Sequence, residues 1–379
     1  MKLSSASKRA IERNYYQSCE WFCDFKESGI EGIGYEKGIH RRDPSSVIKV
    51  GDDYFVWYSR SVGPHKGFHT GDEEAKVFPW DYCDIWYAVS KDGYRWEEKG
   101  PAVVRGERGA YDDRSVFTPE ILEYEGKYYL VYQVVQHPYV NRSFESIAIA
   151  VADSPHGPFT KSKEPILTPT KDGIWEGEED NRFAVKKKGS FDSHKVHDPI
   201  LFAFRGKFYL YYKGEPMGEE LYMGGRETKW GVAIADNILG PYHRSEYNPV
   251  TNSGHETCLW QYNGGIAAFL RTDGVEKNTI QFAEDGINFE IKSVIKQGPE
   301  ACGPYRHLES DSNPLKGMEW GLCHDVSQDY GFIKRFDIDE WQKKVYTNRE
   351  MYEKTGWVYR KNIEIIKQLL KIFYIKISL

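Results

Sequence analysis

The chain has 379 residues with a formal net charge of −6, and 15% of its residues are aromatic. The negative charge and the lack of a long basic stretch exclude a nucleic-acid partner, because nucleic acids bind basic surfaces. The sequence has no run apolar enough to span a bilayer and no signal-peptide core near residue 1, which predicts no membrane partner and a cytoplasmic or periplasmic location. Its six cysteines match neither a zinc-binding spacing nor a dense disulfide framework.

The first segment is predicted to be helical over residues 4–25, with Ser4 or Ser5 as the N-cap. An aromatic stripe lies on this segment, and such a face needs a surface to cover it. We therefore expect residues 1–35 to form an N-terminal helical extension that contacts a second subunit, so that the protein is a homodimer. The stripe consists of Tyr15, Tyr16, Trp21, Phe22 and Phe25.

Four strand-like runs then share one frame, in which a leading residue is followed eight positions later by a glycine and an aromatic-rich strand. Each run predicts a β-hairpin with its turn at the glycine. Repeated hairpins rich in Tyr, Phe, Trp and Val are typical of a β-propeller. The four pairs are Asp43 with Gly51, Thr118 with Gly126, Asp198 with Gly206, and Glu256 with Gly264.

The second half of each repeat is also recognisable, as an alternating strand, a polar turn and a short closing strand. A fifth, weaker copy covers residues 320–338, where Cys323 stands in the frame position instead of an acid. The fold is therefore predicted to be all-β, a five-bladed β-propeller over residues 36–345. The four second halves are residues 84–98, 146–161, 230–245 and 278–292.

The frame predicts a cluster of acids, because equivalent positions on successive blades converge at a propeller's axis. Asp43, Asp198 and Glu256 would meet there. Like charges in a partly desolvated pocket repel one another, an arrangement usually kept for chemistry or cation binding. An inverting glycosidase needs a base and an acid about 6.5–9.5 Å apart across such a pocket. Asp43 is the predicted base, aided by Arg41 or Arg42 if either turns inward, and Asp198 is predicted to hold substrate hydroxyls.

The proton donor is left open between two neighbours, His255 and Glu256. Adjacent side chains on an extended strand point to opposite faces, so both reach one site only if the strand begins irregularly, as Ser253 and Gly254 would allow. A ring of carboxylates would keep the histidine protonated. Two further histidines, His194 and His197, flank the third-blade acid and are predicted to support it, with His197 also in reach of substrate.

Other candidate substrate contacts are Trp80 and Trp86, whose rings could stack on a sugar as readily as pack in the core. An acidic stretch at residues 178–180 is predicted to be solvated surface. The segment 346–379 is predicted to be a helical C-terminal tail, apolar enough to require cover. Either the chain's own propeller or a second subunit would supply that cover.

Several long segments together resemble glycoside hydrolase family 117 over about residues 4–345. The resemblance implies a five-bladed propeller and an exo-acting, inverting α-1,3-(3,6-anhydro-L-galactosidase), also called neoagarobiose hydrolase. Its implied substrates are neoagarobiose and short neoagaro-oligosaccharides. The matching segments are Ser4-x-Ala6-x-x-Arg9-Ala10, RRDP at 41–44, FPWDYCDIWYA at 78–88, GAYDDRSVFTPE at 109–120, SFDSHKVHDP at 190–199 and NSGHE at 252–256.

The resemblance also implies roles for individual residues. Asp43 matches the family's general base, and His255 matches its unusual general acid. Asp198 and Glu256 match the other two acids of the pocket, and Thr118 and Gln133 match substrate-binding positions. No cofactor is required on this interpretation, and a structural cation in the propeller channel is compatible with it.

Two alternatives remain at this point. The segment at 152–159 also occurs in related propeller arabinofuranosidases and xylosidases. A sugar-binding propeller without catalysis is the other alternative. The three acids together with His255 favour an enzyme.

Overall fold

A computed structural model describes residues 2–12, 20–222, 225–306 and 312–338. Within these ranges the chain is almost entirely strand, with one α-helix and one short 3₁₀-helix at Lys316–Met318. No helix among the described residues has the length and apolarity to cross a bilayer. The predicted helical tail, 346–379, lies outside the described residues.

The strands form five consecutive antiparallel units, the second and third of which are joined by one parallel pair, Lys195 with Glu145. After α1 (Ser5–Glu12) and β1 (Phe25–Ser28), the first unit comprises β2 (Ile39–Arg42), β3 (Ile48–Val50), β4 (Asp53–Val62), β5 (Asp84–Ser90) and β6 (Trp96–Val103). The second comprises β7 (Ser115–Tyr124), β8 (Lys127–Val135), β9 (Glu145–Ala152) and β10 (Thr160–Lys161). A small hairpin of β11 (Ile174–Trp175) and β12 (Val185–Lys187) follows.

The third unit comprises β13 (Lys195–Phe204) and β14 (Lys207–Glu215), then, after the short pair β15 (Leu221–Tyr222) and β16 (Gly225–Arg226), β17 (Lys229–Ala235) and β18 (His243–Arg244). The fourth comprises β19 (Ser253–Tyr262), β20 (Gly265–Gly274), β21 (Thr279–Ala283) and β22 (Glu290–Val294). The fifth comprises β23 (Gly303–Pro304), β24 (Trp320–Ser327), β25 (Tyr330–Ile338) and, as its outer strand, β1.

Turn chemistry sets the four predicted hairpins. Each first strand pairs with the strand after its glycine, as in Tyr124 with Lys127 and Phe204 with Lys207. Gly126 and Gly206 have φ of 72° and 74°, and each preceding turn residue is left-handed as well. This is the backbone of a tight type I′ turn, which favours glycine at its second position.

The core lies between the units and closes a ring. Separate clusters of buried apolar side chains fill the contacts of the first unit with the second, the second with the third, the third with the fourth and the fourth with the fifth. A further cluster joins the fifth unit back to the first, with Trp320 and Leu322 against Val56 and Tyr58. Sheets that pack face to face around a closed ring have the architecture of a propeller.

The fifth unit corrects the predicted register. Residues 320–338 are its second and third strands, not its first two, and β23 is the first. The outer strand β1 comes from residues that precede position 36, and it pairs with β25. This repeat was misread because its first strand is only two residues long and carries no alternating pattern.

The N-terminal helix packs on its own chain and does not continue to residue 25. It is described over Ser5–Glu12, and Tyr15 and Tyr16 lie outside the described residues. Phe25 is in a strand, and its ring lies 5.9 Å from that of Phe269. The Trp21 ring packs edge-on against Tyr262 at 5.3 Å. The described part of the aromatic stripe is therefore covered by the fourth and fifth units, and the prediction of a helix over 4–25 is wrong.

Candidate active site

A cavity of about 670 Å³ opens where the first strands of the units converge. The structure brings Asp43, Asp198 and Glu256 together in its wall, as the repeat frame predicts. Its lining also includes Arg42, Trp80, Thr118, Gln133, Glu145, His197, Lys213, His255, Ala301 and His324.

The residues at the frame positions share a left-handed backbone conformation. Asp43, Thr118, Asp198 and Glu256 have φ of 49°, 47°, 50° and 54°, and Ala301 takes the same conformation on the fifth unit with a φ of 45°. L-residues seldom adopt this region, which costs on the order of 1–3 kcal/mol at each position. The pairing register shifts at the second- and third-unit positions, so these residues sit at bulges that re-aim a side chain.

Asp43 is held as a carboxylate. Its Oδ1 lies 3.1 Å from Nδ1 of His324 and 3.5 Å from Nη2 of Arg42. Burial alone would raise the pKa of Asp43, but the positive charge of Arg42 and the hydrogen bond from His324 outweigh it and lower the pKa. Arg42 is thus the arginine that turns inward, whereas Arg41 pairs with Glu98 at 2.7 Å, away from the acids.

His255 lies between two carboxylates. Its Nδ1 is 2.7 Å from Oδ2 of Asp273, and its Nε2 is 3.1 Å from Oε1 of Glu256. Burial and the charge of Lys213 oppose protonation, but the two carboxylates outweigh them and raise the pKa of His255. Burial likewise opposes ionisation of Glu256, yet its pair with His255 lowers its pKa. The site therefore stores a proton on the imidazole, not on the neighbouring carboxylate.

The way both neighbours reach the cavity differs from the prediction. Ser253 and Gly254 are regular residues at the start of β19, and the irregular residue is Glu256 itself. Because its backbone is left-handed, the alternation of the strand breaks there, and both side chains line the same cavity. The left-handed backbone of Glu256, not a frayed strand end, is the cause.

Asp198 is paired with a buried lysine on the next strand. Lys213 Nζ lies 2.5 Å from its Oδ2, and the lysine side chain is 4% exposed. Burial raises the pKa of Asp198; Lys213 opposes this, while the charge of Glu256 adds to it. Asp198 therefore has a different electrostatic environment from Asp43.

A second polar group lies on the side of the cavity formed by the second and third units. Gln133 bonds Glu145, and its Nε2 lies 3.4 Å from Nδ1 of His197. Lys195 Nζ and Tyr139 Oη also bond Glu145, at 2.5 and 3.0 Å. Burial drives the pKa of His197 well below its ordinary value, so its ring is neutral and able to accept a hydrogen bond.

Of the remaining candidates from the sequence, Trp80 and Thr118 line the cavity, whereas Trp86 and His194 do not. Trp80 lines the cavity, where the Arg42 guanidinium lies 5.0 Å from its ring centre. Trp86 is outside the lining; its ring lies 4.0 Å from the Arg60 guanidinium and packs in the cluster between the first and fifth units. His194 is also outside the lining, with Nδ1 3.5 Å from Glu215. Thr118 is in the lining, and its amide donates to Ser59 Oγ at 2.7 Å.

The predicted acidic surface at 178–180 divides into two parts. Glu178 and Glu179 are exposed, as predicted. Asp180 instead accepts hydrogen bonds from the backbone amides of Asn141 and Arg142, both at 2.9 Å. It therefore fixes a loop beside the cavity mouth.

Several site residues, among them Lys213, Asp273 and His324, are not predicted from the sequence. Asp273 could have been found, since the hairpin register places Thr272 opposite His255 and Asp273 directly after it. His324 gave no such signal, because it is on the second strand of a unit whose first strand is barely a strand. On the fifth unit the frame residue, Ala301, has no functional group, and His324 supplies one to the cavity wall instead.

The N-terminal helix supports the strand that carries His255. The Arg9 guanidinium binds Glu276 through two contacts of 3.0 and 3.1 Å and is almost fully buried. Asn252 Nδ2 donates to Ala6 O at 2.7 Å and to Glu276 at 2.9 Å. The helix thus braces the backbone three residues before His255 against the loop that follows Asp273.

Three of the cavity residues form a set that could hold a metal ion. One donor atom each of Asp43, Glu256 and His324 lies within 4.8 Å of the others. Two carboxylates and an imidazole suit a divalent transition metal or zinc. A cation bound there would compete with Arg42 for the Asp43 carboxylate.

Comparison with known proteins identifies the class of this site. A sequence model described as glycosyl hydrolases family 43 matches residues 38–177. No curated protein matches the chain. Among solved structures, a glycoside hydrolase has 11% identity over 84% of this chain and 93% of its own, with a TM-score of 0.57. A GH43_1 enzyme from Xanthomonas citri has 14% identity over 79% and 88%, with a TM-score of 0.50. These two show the fold alone.

A nearer relative is Zg3597, a family 117 glycoside hydrolase produced by the marine bacterium Zobellia galactanivorans. It is 34% identical, the alignment covers 88% of this chain and 98% of that one, and the TM-score is 0.69. Identity at this level over nearly the full length of the relative shows that the two proteins share a family as well as a fold. The chain belongs to glycoside hydrolase family 117.

Proposed function

We propose that the protein is an exo-acting, inverting hydrolase that releases 3,6-anhydro-L-galactose from the non-reducing end of neoagarobiose and short neoagaro-oligosaccharides by cleaving the α-1,3 bond. The observation that carries this proposal is that His255, between the carboxylates of Asp273 and Glu256, and Asp43, beside Arg42 and His324, lie in the wall of one cavity. We also infer that the five sheet units are the five blades of one propeller, with the cavity on its axis.

In this mechanism Asp43 accepts a proton from the attacking water. The water oxygen bonds to the anomeric carbon, the glycosidic bond breaks, and the departing galactose oxygen takes the Nε2 proton of His255. An oxygen of Asp43 lies within 4.8 Å of one of Glu256, so these two carboxylates are close neighbours in the cavity. We assign the acid role to His255 and infer that Glu256, whose Oε1 lies 3.1 Å from His255 Nε2, keeps the imidazole charged.

The other cavity groups bind the sugar. Asp198 with Lys213 offers an acceptor and a donor for adjacent hydroxyls. Trp80, whose ring stacks on Phe78 at 4.5 Å and lies 5.0 Å from the Arg42 guanidinium, adds apolar surface to the cavity wall. Gln133, His197 and Thr118 provide further hydrogen-bond partners at the cavity wall. The acid and the base are both side chains, so the reaction as proposed needs no cofactor.

A substrate panel tests this proposal. The protein is incubated with neoagarobiose, an aryl α-L-arabinofuranoside and an aryl β-D-xyloside, each with and without EDTA, and released sugar is quantified. We expect release from neoagarobiose alone, unaffected by EDTA. Release from the arabinofuranoside or xyloside instead would support the alternative favoured by the family 43 match to residues 38–177. Binding of neoagarobiose without release would indicate a sugar-binding propeller.

The basic limb of the pH–rate profile is expected to depend on Asp273. His255 must be protonated to act as the acid, so activity falls as pH rises through its raised pKa. Asp273→Asn removes a carboxylate that raises this pKa, so the basic limb of kcat/KM should move to lower pH. The acidic limb, which reports Asp43, should stay in place. A basic limb at the wild-type position would contradict the role of this pair.

We propose that the protein is a homodimer, a proposal that rests on the apolar sequence of residues 362–379 and on the short N-terminal helix. One face of that helix is engaged by its own chain, but Ile11 is 68% exposed. Light scattering should give the full chain a dimer mass, and deletion of residues 362–379 or 2–12 should reduce it. A monomeric full chain would contradict the proposal.

A further inference from the structure

A second cavity, of about 560 Å³, adjoins the first at the protein surface. The two share Asn141, Arg182 and Phe183 in their walls. We call this second space the outer cavity. A ligand whose end lies at the acid cluster and whose body leaves through this side must pass these three residues. The outer cavity is therefore continuous with the proposed reaction site.

The wall of the outer cavity is fixed before any ligand arrives. Asp180 accepts from the amides of Asn141 and Arg142, and Arg142 donates to the carbonyls of Glu176, Gly177 and Asn181. These hydrogen bonds tie the loop that carries Phe183 to the second unit. A wall held in this way loses little conformational entropy on binding.

Phe183 is placed as a stacking platform. Its side chain is 51% exposed, in a wall that is otherwise polar. The backbone amide of Phe183 donates to Asn181 Oδ1 at 2.9 Å, and this bond fixes the backbone that carries the exposed ring. An exposed ring among hydrogen-bonding groups matches the apolar face and hydroxyl rim of a sugar.

The polar groups around the ring favour an uncharged sugar. His69, which has a left-handed φ of 64°, lies with Nε2 2.8 Å from Asn141 Nδ2. Among the described wall residues, the only arginine or lysine is Arg182, and its guanidinium already bonds the buried Glu215 and Glu219. With Glu179 also in the wall, the cavity has no free cation to offer a sulfate group. It offers amide and imidazole groups to hydroxyls instead.

We propose that the outer cavity binds the second and later sugar units of a neutral oligosaccharide whose non-reducing end lies at the acids. This inference rests on the proposed function. It makes the tetrasaccharide of the neoagaro series a better substrate than neoagarobiose, because only the longer chain extends past Phe183, at the junction of the two cavities, into the outer cavity.

The test compares kcat/KM for neoagarobiose and neoagarotetraose in the wild type and in Phe183→Ala. Loss of one stacking contact should lower kcat/KM for the tetrasaccharide by about five- to tenfold, while that for neoagarobiose changes less than about twofold. Leu239→Ala is the control, because Leu239 is 53% exposed and lines neither cavity. It should leave both substrates unchanged.

The possible results separate the two levels of the proposal. If the wild type cleaves both substrates and Phe183→Ala changes neither, or lowers both equally, the outer cavity is not a sugar subsite and the proposed function stands. If the wild type releases sugar from neither substrate, the proposed function fails and this inference fails with it. A selective loss on the tetrasaccharide supports both.

Discussion

Asp43→Asn is expected to lower kcat for neoagarobiose by at least about 10²-fold, the usual cost of losing a general base. The amide keeps the shape of the carboxylate but cannot accept the proton of water. Substrate affinity should change little, because binding is assigned to Asp198, Lys213 and the wall around Trp80. Steady-state kinetics together with calorimetric titration of neoagarobiose would separate the two effects.

The control for this variant is Asp153→Asn, an exposed carboxylate that pairs with Lys127 on the surface. It should retain wild-type activity, and both variants should melt close to the wild-type temperature. Activity of Asp43→Asn within a few-fold of wild type would remove Asp43 from the mechanism.

His255→Ala is expected to lose about 10²- to 10⁴-fold in kcat/KM on neoagarobiose, because a sugar leaving group requires protonation. On an aryl 3,6-anhydro-α-L-galactoside, whose phenolate departs without help, the loss should be far smaller. This difference between substrates distinguishes a proton donor from a residue that only shapes the cavity. The measurement is kcat/KM on both substrates, with melting temperature recorded for each variant.

Glu256→Gln gives the matched comparison on the adjacent residue. Its loss should move the basic limb of the pH profile for neoagarobiose downward, because the carboxylate that raises the pKa of His255 is gone. At a pH below that limb, where His255 is still protonated, activity on the two substrates should change alike. The opposite pattern, in which the good leaving group restores activity to Glu256→Gln and not to His255→Ala, would assign the acid role to the carboxylate.

The repeat frame predicts the acidic centre of the site from the sequence. A fixed spacing of eight residues from an acid to a turn glycine predicts where a side chain lies on the first strand of a hairpin, and this brought Asp43, Asp198 and Glu256 to one cavity. What the frame could not reveal is the left-handed backbone at these positions. That backbone conformation depends on the tertiary arrangement, and at Glu256 it explains how His255 and Glu256 face the same space.

Long-range pairing accounts for the remaining differences. The strand at 25–28 has no signal that joins it to residues 335–338, since the partners are separated by the whole propeller. The sequence pattern therefore places its aromatic residue, Phe25, on the predicted helix face. His324 was likewise hidden, because a two-residue first strand leaves no hairpin from which to count. Sequence periodicity predicts local pairs well and ring closure poorly.

A crystal structure of Asp43→Asn with neoagarobiose bound would test directly whether His255 is the proton donor and Asp43 the base. We expect an anhydrogalactose ring in the inner cavity, with the glycosidic oxygen within hydrogen-bond distance of His255 Nε2 and a water between residue 43 and the anomeric carbon. A glycosidic oxygen bonded to the Glu256 carboxyl, with His255 out of reach, would contradict it. So would a sugar bound elsewhere on the protein.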